Sequence, residues 1–252
     1  MRIAGSATFL PERARRRLAS GVLLLVGGIA SVGAASLLSG LAGESAVVAS
    51  SLLSFVGVGG LLLGTLRLLS VGRDRDRIAG EGPVVAQLSA GLSDDYLYLR
   101  HVALPGAGVE ADGILLGPHG ALVLATRAVE GRFIVRGHDW FLQQPDGSER
   151  AWGRSPSWEL MRPVRAVQRL VKEEGLRALP VHGAVVLVGG QLVEADLPGT
   201  AVVPLNRVVS YVEYLRGEEP APAAELAALA RRLEAHVDGA RRGPPGPGSS
   251  RR

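Results

Sequence analysis

The chain contains no cysteine, which excludes disulfides, thiolate nucleophiles and Cys-ligated zinc or iron–sulfur centres. Lysine is almost as scarce: Lys172 is the only one, and nearly every cation is an arginine. Because the formal net charge is only +4, the high isoelectric point reflects this residue choice and is discounted as a mark of nucleic-acid binding. Charge itself is missing from two stretches, Leu18 to Gly43 and Ser45 to Leu66, with Glu44 alone between them. Each exceeds the roughly 20 apolar residues that cross a ~30 Å hydrocarbon core. Neither holds an ionisable residue able to serve as an ion or proton relay, which argues against a transporter or channel.

The residues present around these stretches predict an integral membrane hairpin. Arg13, Arg15, Arg16 and Arg17 precede the first span, and Arg67, Arg73, Arg75 and Arg77 follow the second. The positive-inside rule then puts both termini in the cytoplasm of a multi-pass protein of the cell membrane. A cleaved signal peptide would also carry arginines before an apolar run, but this run outlasts a usual h-region and a second span follows at once. Gly27, Ser31, Ala35, Ser39 and Gly43 recur every four residues, and Gly60 and Gly64 repeat the spacing, so the two backbones could approach closely or the stripe could join two copies as a homodimer.

From about Arg73 onward, roughly 180 residues suffice for one globular domain. Gly72 to Arg77 reads as a charged, solvated connector, and Pro83 as the first turn of a helix over Val84 to Leu92. Alternation predicts a strand over Tyr96 to Leu104. Gly117-Pro118-His119-Gly120 joins the apolar runs 114–116 and 121–124 as a hairpin, and further strands follow over 132–135 and 140–143 in an antiparallel meander. Ser155-Pro156 starts a helix with apolar residues at helical spacing to Glu174, with Pro163 marking a kink or a later start. Val181 to Val188 reads as a strand buried on both faces, and Thr200 to Val203 as another. Asn206 is an N-cap candidate for 207–216, Pro222 begins a helix ending near Val237, and the tail from Gly239 is expected to be disordered.

This order describes an α/β fold with a mixed sheet, and the stretch Asp112-Gly-Ile-Leu-Leu-Gly-Pro-His-Gly-Ala-Leu-Val-Leu-Ala-Thr-Arg127 resembles the nuclease-related domain (NERD) family. That family is a branch of the PD-(D/E)xK restriction-endonuclease-like fold. In its pattern an Asp begins one strand, a Gly-Pro-x-Gly turn follows, and the next strand ends in Glu-x-Lys, with a Gly and then a Trp beyond. Gly131 and Trp140 fall at the expected places, Gly80-Glu81 resembles the family's Gly-Glu, and Ser155-Pro156 with Glu159 resembles its Asn-Pro-x-x-Gln helix start. The likeness covers about residues 80 to 190. It implies metal-dependent phosphodiester hydrolysis, in which carboxylates hold a divalent cation that activates water while a lysine balances charge.

Here Asp112 is kept, but the Glu position is Ala125 and the Lys position is Arg127. Alanine cannot ligand a metal, and arginine is bulkier and stays charged. Asp112 and Arg127 are therefore the remnant of the catalytic motif. The expected function is a membrane-anchored, catalytically degenerate binding or scaffolding module with no cofactor, acting on the cytoplasmic face. One alternative is an active nuclease with Mg²⁺ or Mn²⁺ held by Asp112, Glu81 and Glu110, or with a carboxylate relocated to Glu130 or Glu159. The other is a structural protein-interaction module using the C-terminal helix and tail. Expected partners are the lipid bilayer, nucleic acid and a second copy of the chain.

Other polar residues have blander readings. Glu81 suits a helix-start dipole, and the five histidines lack metal-ligand spacing, which leaves turn or surface roles. Trp140, Trp152 and Trp158 suit packing, while Arg127, Arg132, Arg136 and Arg154 could line a phosphate-binding face. The expected organisation is a basic N-terminus over 1–17, the hairpin over 18–70, a linker over 71–79, the α/β domain over 80–217, a C-terminal helix over 218–238 and a basic tail over 239–252.

Overall fold

A computed structural model describes residues 1–5, 9–39, 44–104, 106–176, 178–197, 199–217 and 220–239. The expected tail beyond Gly239 and residues 40–43 of the expected hairpin lie outside the described residues. The chain divides into two compact units, Thr8–Ile78 and a second one built from Met1–Ala7 with Ala79–Arg252.

The first unit consists of α1 (Phe9–Ser39) and the N-terminal part of α2 (Glu44–Gly91). The segments Leu18–Ser39 and Val47–Leu68, with mean hydropathies of 2.1 and 2.0, are long and apolar enough to cross a membrane. Leu23, Leu37 and Phe55 are 74%, 80% and 83% exposed, so the large side chains of this unit point outward instead of forming a core. The two helices meet through glycine. A Cβ on Gly28 would stand 2.8 Å from the Gly57 carbonyl oxygen, and one on Gly64 would stand 3.0 Å from that of Gly21. Gly60 and Gly64 thus lie at the contact as their spacing suggested, but Gly27 has no neighbour within 4 Å. On α1 the close approach is at Gly21 and Gly28; of the expected stripe Ala35 is buried, whereas Gly27 is not at the contact. Outward-facing Ser31 and Ser36 return their hydroxyls to the Gly27 and Val32 carbonyls, which satisfies them within the helix.

The second unit is built on a six-stranded mixed sheet. Its strands are β1 (Arg2–Ala4), β2 (Leu97–Leu104), β3 (Val109–Gly117), β4 (Gly120–Ala128), β8 (Val181–Val188) and β10 (Ala201–Pro204), adjacent in that order. A smaller sheet holds β7 (Glu149–Ala151), β6 (Asp139–Gln143), β5 (Arg132–Arg136) and β9 (Gln191–Asp196). The expected meander is therefore divided: β3 and β4 form a hairpin in the large sheet, while β5 and β6 start the small one.

Both faces of the large sheet are covered. On one lie α3 (Pro156–Glu173), α5 (Ala223–Gly239) and Phe133, Val135 and Trp140 of the small sheet. On the other lie Val84, Val85 and Leu88 of α2 and Val208 and Val212 of α4 (Val208–Leu215). Burial on both sides explains why β4 and β8 read as unbroken apolar runs rather than alternating ones.

Three local expectations differ. The charged stretch 72–77 is helical, part of α2, and Pro83 lies inside that helix instead of opening a new one. Complete burial of Val84 and Leu88 offsets the hydrogen bond that the proline removes. By contrast α3 begins at Pro156 as expected, with the Ser155 hydroxyl accepting from the Trp158 amide and Pro163 inside the helix. Asn206 falls in a 3-10 turn over Leu205–Arg207, and α4 follows from Arg207 without a side-chain cap. Strands β1, β7 and β9 had no counterpart in the sequence reading.

His119 belongs to the core as well. In the β3–β4 turn it is 1% exposed and stacks on Tyr96, with ring centroids 5.7 Å apart and an interplanar angle of 19°. Burial, with a smaller contribution from His182, pushes its pKa down from 6.5 to about 4. An unfolded chain takes up this proton at the ordinary imidazole pKa, so stability is complete above that value and falls as pH drops towards 4. We expect acidification across this window to cost up to about 3 kcal/mol through this group. His119→Phe, which keeps a ring on Tyr96, should flatten thermal stability against pH in that range.

Candidate functional site

The candidate site forms where the β2–β3–β4 ladder loses its regularity. Leu99 and Val102 belong to the same core cluster, as do Ala111 and Ile114, although residues three apart on an unbroken strand face opposite ways. Both strands therefore slip phase at the same level, and their pairing register stays constant across it. His101 absorbs the slip on β2 with φ +48°, a left-handed conformation that a non-glycine residue adopts at a cost. Pairing between β3 and β4 stops at Gly113↔Leu124, and beyond it the Asp112 carboxylate accepts from the Thr126 amide at 3.3 Å. Asp112 thus replaces a lost ladder hydrogen bond.

Arg127 lies on the same face of β4 as Ala121, Val123 and Ala125, the face covered by α3. Its guanidinium donates through Nη1 to Asp112 Oδ2 at 2.8 Å and to the Thr126 carbonyl at 2.8 Å. Through Nη2 it donates to Glu159 Oε2 at 2.7 Å, one turn into α3. The Arg127 side chain is 7% exposed, that of Asp112 11% and that of Glu159 38%. Burial opposes the Arg127 charge, but the carboxylates of Asp112 and Glu159 outweigh it and hold its pKa above the ordinary arginine value. Ala125, 4% exposed, contributes only a methyl group to the core beside them.

Other acidic residues surround His101. Its Nε2 lies 3.1 Å from Glu81 Oε2 and its Nδ1 lies 3.8 Å from Glu110 Oε1. Arg100 Nε stands 3.4 Å from Glu81 Oε1 but lacks hydrogen-bond alignment, so that oxygen is buried without a hydrogen bond. Glu81 is well inside α2 and so has no helix-start dipole to meet; it faces Arg100 and His101 of β2 instead. Gly80 allows this approach, since a Cβ there would collide with the Thr126 methyl group.

These carboxylates thus have protein partners. Asp112 and Glu159 share Arg127, while Glu81 and Glu110 flank His101. Among the described residues no three His, Asp or Glu side chains form a group able to hold a metal ion, so Asp112, Glu81 and Glu110 are not assembled as a ligand set. The donor chemistry present does not fit a divalent cation: one motif position is a methyl group and another is a fixed cation. Glu130 is exposed beyond the end of β4.

Of the four arginines read as a phosphate-binding face, Arg132 and Arg136 are exposed at the two ends of β5. Arg127 is buried, and Arg136 pairs with both oxygens of Glu149 at 2.8 Å, which raises its pKa. The Arg154 guanidinium lies 5.9 Å from the centre of the Trp152 ring. Trp140 and Trp152 pack with Phe133 as expected of core aromatics, whereas Trp158 remains 55% exposed. Sequence reading gave His101 a surface or turn role. Its place opposite Asp112 in the β2–β3 register was the available signal, and it required the strand pairing.

Residues 77–188 match the family described as the nuclease-related domain. The chain carries a nuclease-related domain. The match runs from the α2 segment bearing Glu81 to the end of β8, and so contains the whole Asp112–Arg127–Glu159 cluster. No curated protein and no solved structure matches the chain.

Arg127→Met should destabilise this NERD domain by about 3–5 kcal/mol, because it removes the cation that bridges the nearly buried Asp112 carboxylate to Glu159. Adding Asp112→Asn should recover part of that loss. Denaturant unfolding of both variants measures the difference, and an unchanged stability for Arg127→Met would show that the cluster does not hold these elements together.

Proposed function

We propose that this protein is a membrane-anchored nuclease-related module that binds or scaffolds at the cytoplasmic face and does not cut. The observation that carries the reading is the Arg127 guanidinium bridging Asp112 and Glu159 beside Ala125. In a metal-dependent nuclease a divalent cation neutralises the acidic side chains and stabilises charge on the phosphate. Here a covalently attached cation neutralises them. It carries no exchangeable water to activate, and because it stays protonated and has no acceptor it cannot act as a base.

The rival reading, an active nuclease with a relocated carboxylate, draws support from Glu159, which meets the same guanidinium as Asp112. The full chain in detergent, incubated with DNA and RNA in Mg²⁺ or Mn²⁺, separates the two. We expect no metal-dependent cleavage, and cleavage lost in Asp112→Ala would establish the rival.

Support for a hairpin anchor comes from β1. Arg2–Ala4 pairs in parallel with Leu97–Leu99, so residues from either side of the apolar unit join one sheet. A chain that leaves and re-enters the same domain crosses a bilayer an even number of times, which the two apolar segments satisfy. The flanking arginines favour the cytoplasm for that domain. Protease added to intact cells should leave the domain whole, whereas protease added to inverted membrane vesicles should degrade it; the opposite pattern would reverse the orientation.

A further inference from the structure

One exposed stripe of α3 is strongly cationic. Arg162, Arg165, Arg169 and Lys172 recur at intervals of three and four residues, which places them along a single face. All four are exposed, and none forms an ion pair among the described residues. This contrasts with Arg127, Arg136 and Arg232, each of which meets a carboxylate. With a rise of 1.5 Å per residue the four charges extend over about 15 Å. They form one wall of a groove of about 570 Å³, whose other wall is Ala107 and Val109 at the β2–β3 turn. Trp158 continues the stripe one turn before Arg162 and is 55% exposed, its ring held edge-on to His138 at 5.3 Å.

We propose that this groove binds the backbone of a single-stranded polynucleotide, with Trp158 as a stacking platform for a base at one end. The inference rests on the binding-module reading above and gives that module a partner and a surface. A row of unpaired cations matches a row of phosphates, and an exposed aromatic ring in line with them adds contact with any base, independent of sequence. The walled shape favours a thread-like polyanion over a flat array of lipid headgroups. The stripe lies on the outer side of α3, while Leu160, Val164 and Val167 face the sheet, so it can bind without opening the Arg127 cluster.

The test uses the full chain in nanodiscs of neutral phosphatidylcholine, with fluorescently labelled oligo-dT and oligo-U followed by anisotropy in EDTA. Binding to at least one of them at low salt is expected. Arg165→Glu with Arg169→Glu should weaken it by tenfold or more and should lower the slope of log affinity against log salt by roughly 1.4, at about 0.7 per phosphate contact. Trp158→Ala should cost about tenfold. Arg231→Glu, an exposed charge reversal on α5, should change little. If the double reversal fails to fold by circular dichroism, Arg165→Gln with Arg169→Gln replaces it, with a smaller loss in the same direction.

The proposal is overturned if neither oligonucleotide binds, or if binding survives the stripe variants. It is also overturned if only phosphatidylserine vesicles bind in a stripe-dependent way, which would make the partner a lipid surface. Because the assay contains no divalent metal, it is independent of cleavage. Cutting of the same oligonucleotides on adding Mg²⁺ would refute the non-cutting reading while leaving the groove intact.

Discussion

A positive charge carried into a nearly closed interior organises the centre of this domain. Arg127 stays ionised at any physiological pH, so burying it demands carboxylates on more than one side. Asp112 on β3 and Glu159 on α3 meet that demand, and the three residues join two strands and the main helix of one sheet face. The same constraint decides the chemistry: an arginine that must be neutralised by the motif's own acid occupies that acid in turn. Arg127 thus holds the two carboxylates at the end of β4, two residues beyond the methyl group of Ala125.

The sheet around this cluster serves two cores at once. Its apolar strands bury both faces, so a phase slip in β2 and β3 would ordinarily turn apolar side chains the wrong way. The slip is tolerated because both strands make it at the same level, and because the residues it displaces are polar ones with partners. His101, Arg100 and Asp112 are drawn out of the alternation towards Glu81, Glu110 and Arg127. The strained backbone at His101 is offset by contacts that no regular strand would have produced.

Much of the large sheet could be read from the sequence. Strands β2, β3, β4, β8 and β10 follow alternation or unbroken apolar runs bounded by turn residues, and α3 follows its capping serine and apolar spacing. What escaped reading was short or non-local. β1 has three residues and gains its strand character only from β2, while β7 and β9 are mostly exposed strands held by the small sheet. The continuity of α2 through Pro83 was hidden for a similar reason: a proline signals a boundary unless burial on its far side outweighs the lost hydrogen bond. In the apolar unit the spacing of small residues was legible, but the phase of contact on α1 depends on how the two helices face each other.

Alone, the sequence determined that two segments are apolar enough to span a bilayer, that thiol chemistry is absent, and that Ala125 and Arg127 stand where the motif it resembles has Glu and Lys. Those are properties of residue type and local order, which need no partner to be expressed. Tertiary structure alone decided what the surviving polar residues do. It brought Glu159 to Arg127 across 32 positions of chain, moved Glu81 from an imagined helix start to Arg100 and His101 of β2, and buried two histidines. A buried charge is stabilised by whatever group stands next to it in space, and that neighbour is set by strand register and helix packing rather than by the residues adjoining it in the chain.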